Sequence, residues 1–303
     1  MLKVPTAFTS PGWTEEDTPR FADWIEAAAL ADPTEDLSRS DLVDAIEEAS
    51  GGGIPQDDIR LFVDDAISHL RMRRGYLSDM HPVDFHDDRL ALDENCKDPI
   101  PYSFCLVLSL APLFPSWRDK HIRQMQRNMF EELTAHIVSD LFPRWTINQT
   151  GWANSKGGKG KIVQKIIQLF HARRGGYGEV LDTANDGQID VIVHRPFIDS
   201  RGSYPGYFVQ CATGATDLKT KALEPNLGLW EMAVSFLHVP QKALAIPFAI
   251  GHDTFNKMAT AGRGLVLDRV RLVGSLERAL PQAFSGRAKT WIARALSDLP
   301  RAT

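Results

Sequence analysis

Cysteine is scarce: Cys96, Cys105 and Cys211 are odd in number and lack CxxC spacing, which argues against a disulfide framework or a zinc knuckle. A reducing, cytoplasmic setting is therefore expected. Long apolar runs are missing too. The longest, Phe104 to Phe114, falls short of the roughly 18 residues a membrane span requires and reads as buried core. The N-terminus, MLKVPTAFTSPGWTEED, has no apolar segment of a secretory signal ahead of its acidic run, so a soluble protein without a membrane partner is expected. Repeats and low-complexity segments are absent. So is a phosphate-binding loop: no G-x-x-x-x-G-K-[ST] threads through GWANSKGGKGK, because Lys161 precedes Ile162.

What is there is divided charge. The net charge of −5 combines residues 1–100, with 9 Lys+Arg against 23 Asp+Glu (−14), and residues 101–303, with 25 against 16 (+9). A basic C-terminal part suits a polyanion-binding surface, since phosphate neutralisation drives most nucleic-acid affinity. An ordinary solvated surface is the other reading. The expected organisation is an acidic helical N-terminal region and linker over 1–100, which regulates the chain or binds a protein partner, and a basic domain over 101–303.

Apolar periodicity predicts helices over Arg20–Ala31, from a Ser40-Asp41 cap to Gly51, and from Pro55 to Gly75. Arg71, Arg73 and Arg74 would suit a DNA-reading helix, but Asp57, Asp58, Asp64 and Asp65 at its start repel phosphate. Complementing the helix dipole explains both charges without DNA. Residues 76–101 read as a surface linker, in which His81, Asp84, His86, Asp87 and Asp88 follow no zinc-ligand spacing. Further helices are expected over Arg118–Phe142 and Ile162–Arg173, then strands over Tyr177–Leu181, Gln188–Pro196 and Gly206–Thr213. A helix from Thr216 or Asp217, broken at Pro225 and resumed over Leu229–Leu237, precedes strands at Ala243–Ile250 and Leu265–Val273 and a last helix over Ala288–Leu296. Helix, three strands, helix, strand describes a mixed sheet flanked by helices, in the α/β class.

The chemistry gathers in Asp186 to Lys221. Asp190 opens the apolar strand QIDVIV, where a carboxylate is costly to bury without a cation or a donor. Phe208, Gln210 and Ala212 share a face of the next strand, so alternation predicts that Asp190 and Gln210 meet across the pair, with the Cys211 carbonyl nearby. Oxygen ligands alone favour a hard ion such as Mg²⁺. A turn aspartate and a buried glutamine would explain the same residues singly, though less well their joint order.

Asp186, Gly187 and Asp190, followed by Gln210-Cys211, resemble the D-G-x-x-D and Q-x-K pattern of the PD-(D/E)XK nuclease superfamily, in its Mrr-like restriction endonuclease branch. The resemblance covers about Lys161 to Ile250. It implies a restriction-endonuclease-like mixed sheet and a Mg²⁺- (or Mn²⁺-) dependent DNA endonuclease of bacterial restriction or anti-phage defence. Asp190, Gln210 and the Cys211 carbonyl would hold the metal, completed by Glu131 from an F-E pair on the long helix, or by Glu179. The motif lysine is replaced by Ala212, so Lys221, or else Lys219, would supply the missing charge. Lys159, Lys161, Lys165, Arg173, Arg174 and Lys219 are the expected phosphate contacts. His194 and Arg195 could approach a phosphate, and Trp145, Trp152 and Trp230 could stack on bases, although strand-end exposure and core packing are the commoner fates. Cutting both strands would call for a homodimer. A nuclease-like fold that lost catalysis through Ala212 and survives as a DNA-binding or assembly subunit is the alternative.

Overall fold

The computed structural model describes residues 3–32, 36–86, 89–114, 120–150, 160–176, 188–199, 201–214 and 218–299. The periodic segments at the start become helices α1 (Asp17–Ala31), α2 (Arg39–Ser50) and α3 (Gln56–Leu77). Helix α2 starts at a capping box two residues earlier than Ser40 suggests: the Ser38 hydroxyl accepts from the Asp41 N–H while the Asp41 carboxylate accepts from the Ser38 N–H. Its end is set by Gly51, whose φ of 61° suits glycine.

The expected surface linker is instead built into a small sheet. β1 (Leu37–Ser38), β2 (Val83–His86) and β3 (Arg89–Leu92) pair antiparallel in the order β1-β3-β2. Asp98 caps α4 (Pro99–Leu110), which is buried along its whole length from Ile100. Such a helix shows no amphipathic stripe because it has no solvent face. The long α5 (Lys120–Leu141) follows.

The remaining chain runs β4 (Thr146–Gln149), α6 (Gly160–Phe170), β5 (Arg173–Arg174), β6 (Val191–His194), β7 (Gly206–Cys211), α7 (Leu218–Lys221) and α8 (Leu227–Ala233). Then come β8 (Val234–Ser235), β9 (Gln241–Ala245), α9 (His252–Gly262), β10 (Leu265–Leu267), α10 (Arg269–Gly274) and α11 (Gln282–Ser297). Five strands form a mixed sheet in the order β10-β9-β7-β6-β4. β4, β6 and β7 are antiparallel neighbours, and β7, β9 and β10 run parallel. The α/β class and the flanking helices are as expected from sequence. β4 was not foreseen, and the expected strand over Tyr177–Leu181 lies outside the described residues. The last strand stops at Leu267 because the Asp268 side chain accepts from the Arg271 N–H and starts α10.

Alternation along the strands divides the sheet's faces. Val191, Val193, Val209, Ala243 and Ala245 enter a core that also takes Ile25, Val63, Phe104, Leu133 and Phe284, so residues on both sides of position 100 share it. On the opposite face Ile192 and Phe208 pack with Val163, Ile166 and Phe170 of α6. Farther along, Ala212 and Leu244 pack with Ala222 and Met258.

A buried ionic knot joins the N-terminal helices to the sheet. Arg73 Nη1 donates to Asp23 Oδ1 at 2.7 Å and Glu26 Oε2 at 3.0 Å, and Arg269 Nη2 donates to Asp23 Oδ2 at 2.8 Å. Tyr102 donates to Glu26 at 2.7 Å, Ser109 to Asp23 at 2.5 Å, and the His81 ring stands 2.9 Å from Glu26. Two of the three arginines that suggested a DNA-reading helix are thus engaged internally. Arg73 is 1% exposed, and Arg74 pairs with Asp93 at 2.7 Å and Asp84 at 3.2 Å.

Burial works to raise the Glu26 carboxyl, but Arg73, His81 and Arg269 outweigh it and hold the group at about 2. Its folded value lies below the unfolded value of about 4.3. Glu26 therefore contributes stability that is complete above that unfolded value and is lost as pH falls toward 2. Chemical denaturation should show Arg269→Met destabilised by about 3–5 kcal/mol at pH 7, because two buried carboxylates lose a partner. Glu26→Gln should flatten the fall in stability between pH 4.5 and 2; an unchanged acid limb would remove Glu26 from this role.

Candidate functional site

The site begins with a fault in strand pairing. Val191 is opposite Val209 in register, yet the Asp190 N–H also donates to the Val209 carbonyl, at 2.9 Å. Two residues of one strand therefore face one of the other, which is the count of a β-bulge. Ile189 and Ile192, three apart, consequently enter the same apolar cluster, so the two-residue alternation breaks between them. Just upstream, Gln188 has φ 52°. Thr150 ties the bulge to the end of β4, its N–H reaching the Asp190 carbonyl at 3.0 Å and its hydroxyl the Ile189 carbonyl at 2.5 Å.

The bulge re-aims Asp190. Its Oδ2 accepts the Cys211 backbone N–H at 2.6 Å, a bond the regular ladder would have given to a carbonyl. The Asp190 charge also acts on Glu131 of α5 and on the Cys211 thiol. Gln210 lies on β7 between Phe208 and Ala212, whose clusters are on the face away from α5, whereas Val209 and Cys211 pack toward α5. The expected meeting of Asp190 and Gln210 on one face therefore does not occur, because alternation fails one residue before β6 begins.

The Asp190 charge falls instead on Glu131. Burial, and then the Asp190 charge, push its carboxyl up to about 7, with Arg127 one turn earlier pulling the other way. Burial likewise holds the Cys211 thiol far above its ordinary range, with Asp190 and Glu131 adding to it and the Thr134 hydroxyl opposing. The corner between α5 and the bulge thus holds two carboxylates that repel each other and a neutral thiol. Such a pair is relieved by a proton or a cation. Among the described residues no group of three or more His, Cys, Asp or Glu side chains stands at metal-holding spacing. A hard ion here would take Asp190 and Glu131 as carboxylate ligands and fill its shell with water, as Mg²⁺ commonly does.

Other predicted residues divide around this corner. Gln210 is 9% exposed, and its Oε1 is buried with no hydrogen-bond partner among the described residues. Lys221 Nζ donates to Glu224 Oε2 at 2.7 Å, and its neighbour Ala222 packs with Ala212. Lys165 Nζ donates to the Gln149 carbonyl at 3.0 Å, level with Val191, and partial burial lowers its ammonium pKa. Arg173 and Arg174 are exposed on β5. His194 is buried and Trp230 belongs to the core, so neither side chain is offered to solvent, while Trp145 packs against Phe142 and Tyr207. Asp186, Gly187, Glu179, Lys159 and Trp152 lie outside the described residues, as do the side chains of Lys161 and Lys219.

Sequence reasoning missed Thr134 and Thr150. A signal for the first was present, since Arg127, Glu131 and Thr134 recur at helical spacing on α5. The raised Glu131 carboxyl implies that the folded state keeps its proton while the unfolded chain loses it above about pH 4.3. Stability should fall as pH rises from there to 7. Glu131→Gln should gain about 1–2 kcal/mol over wild type at pH 8, the shift being discounted for partial solvation. At pH 4 the two should match, and equal thermal midpoints at both pH values would refute the coupling. Comparison with protein-family models, with curated proteins and with solved structures finds no match to this chain.

Proposed function

We propose that this chain is a Mg²⁺-dependent DNA endonuclease of the PD-(D/E)XK type. The observation that carries the reading is the bulge, where Asp190 leaves strand alternation and its carboxylate accepts the Cys211 N–H, with its charge acting on the Glu131 carboxyl of α5. Bulges recur beside active sites because they re-aim a side chain. Two repelling carboxylates at a sheet end form an anionic site that a hard divalent cation would neutralise. The order of elements also supports it, with α5 ahead of antiparallel β4, β6 and β7, and a helical crossover to parallel β9. So does the net charge of +9 over residues 101–303.

A bound Mg²⁺ or Mn²⁺ would lower the pKa of its water and offset charge on the phosphate oxygens. Asp190 and Glu131 would hold the ion, the Cys211 N–H fixes the Asp190 carboxylate, and Lys221 would offer positive charge once released from Glu224. Exposed Arg173 and Arg174, with Lys165, track the phosphate backbone. The biological setting of this proposal is bacterial restriction or anti-phage defence, by a homodimer whose acidic N-terminal region binds a protein partner.

One observation favours a second reading. Ala212 is buried among apolar side chains, and Lys221 is already paired with Glu224, which suits a nuclease-like DNA-binding subunit without catalysis. Plasmid cleavage in Mg²⁺ and Mn²⁺ separates the two. Asp190→Ala and Glu131→Ala should each lose roughly a hundred- to a thousand-fold in rate, and Lys221→Ala about a hundred-fold, the scale of losing one electrostatic stabiliser. If only Lys219→Ala is dead, the lysine is the other one. Band shifts that persist in chelator without any cleavage would select the second reading.

A further inference from the structure

The connection between β6 and β7, residues 195–205, carries a second unusual feature. At the end of the strand pair remote from Asp190, Phe197 is 55% exposed and Ile198 is fully exposed. Leu237, 68% exposed, stands beside the same connection: Gly202 packs so closely that a Cβ there would lie 2.9 Å from Leu237 Cδ1 and 3.1 Å from the Phe170 carbonyl. The base of the turn is closed by the Arg195 N–H bonding to the Pro205 carbonyl at 3.1 Å. Near the tip, Asp199 accepts from the Arg201 N–H at 3.1 Å and from Arg201 Nε at 2.8 Å. The apolar tip is therefore held out into water by a braced turn.

The charge around it identifies its counterpart. Arg195 is exposed at the foot of the turn. Arg173 and Arg174 are exposed on β5, which pairs with β8 at Ser235, two residues before Leu237. Arg201 is offset by Asp199, so the positive charge is taken from Arg173 and Arg195. An apolar tip alone would suit many partners. An apolar tip set among arginines suits duplex DNA, whose phosphates attract the arginines while a base step admits the wedge.

We propose that Phe197 and Ile198 insert between base pairs of duplex DNA and unstack them, an inference that rests on the nuclease reading above. Five residues of strand separate Asp190 from Arg195, about 17 Å at 3.3 Å each. That distance corresponds to roughly five base steps at 3.4 Å. The wedge residues lie two and three positions beyond Arg195, so they would act farther than this from a phosphate bound through an ion at the carboxylate pair.

The test uses the full chain, in chelator to prevent cutting, with 30-base-pair duplexes carrying 2-aminopurine at successive steps. Wild type should bind with steep salt dependence and raise 2-aminopurine fluorescence several-fold at one or two adjacent steps. Phe197→Ser/Ile198→Ser should keep the wild-type circular dichroism and thermal midpoint, lose the fluorescence rise and bind at least ten-fold more weakly. Arg173→Ala/Arg195→Ala should bind more weakly with a smaller salt slope. Wild type that binds without unstacking, or a serine variant that unstacks as wild type does, overturns the wedge and leaves the nuclease reading standing. Wild type that binds no duplex at any salt overturns both. Loss of a wild-type dimer in the serine variant, with unstacking unchanged, assigns the tip to self-association and also overturns the wedge.

Discussion

Two guanidinium groups sealed from solvent, Arg73 and Arg269, face two carboxylates, Asp23 and Glu26, and the rest of the molecule is assembled around that contact. Each charge alone would be prohibitive to bury, so each exists in the interior only because the others do. The partners come from α1, α3 and the start of α10, with Tyr102 and Ser109 from α4 filling the remaining positions. Arg269 Nε also holds the Pro247 carbonyl at 2.9 Å, which fixes the chain as it leaves β9. The sheet that carries the candidate site is thereby anchored from behind by residues far away in sequence.

On the sheet itself, one extra residue decides which side chains meet. Regular pairing would have put Asp190 beside Gln210 and left Glu131 as a helix-face glutamate. The bulge sends Asp190 toward α5, where burial, and then the Asp190 charge, hold the proton on Glu131. Thr150 and the Cys211 N–H then hold the displaced strand end in place. Gln210, on the other face, keeps a buried oxygen with no partner among the described residues, the sort of group that needs an explanation in a native fold.

What could be read from the residues follows from what leaves a period. α3 and α5 each bury one stripe, and their apolar spacing locates them to within a few residues, whereas α1 is buried continuously from Phe21 to Ala29. α4 is apolar on every side and leaves no stripe. β4, with the sequence TINQ, sits at a sheet edge with partly exposed side chains and has neither the alternation nor the apolar content of a strand. β2 and β3 were hidden by brevity and by the acidic residues around them. The functional corner was half visible: Asp190 and Glu131 stood out by type and neighbours, but a bulge is a matter of hydrogen-bond register and has no sequence period. Arginine likewise does not announce its environment, and Arg73 looks like its neighbour Arg71 until α1 is packed against it.

The ionic knot also bears on how the molecule can be divided. Arg269 opens α10, immediately beyond the last strand of the sheet, and both of its counter-charges come from the first 26 residues of the described chain. A fragment beginning near residue 101 would keep every strand of the large sheet and every residue of the carboxylate corner. It would also bury a guanidinium against emptiness. The acidic N-terminal region is in this sense the counter-ion of the sheet, and the core on the α5 side of the sheet is shared between the two parts of the chain.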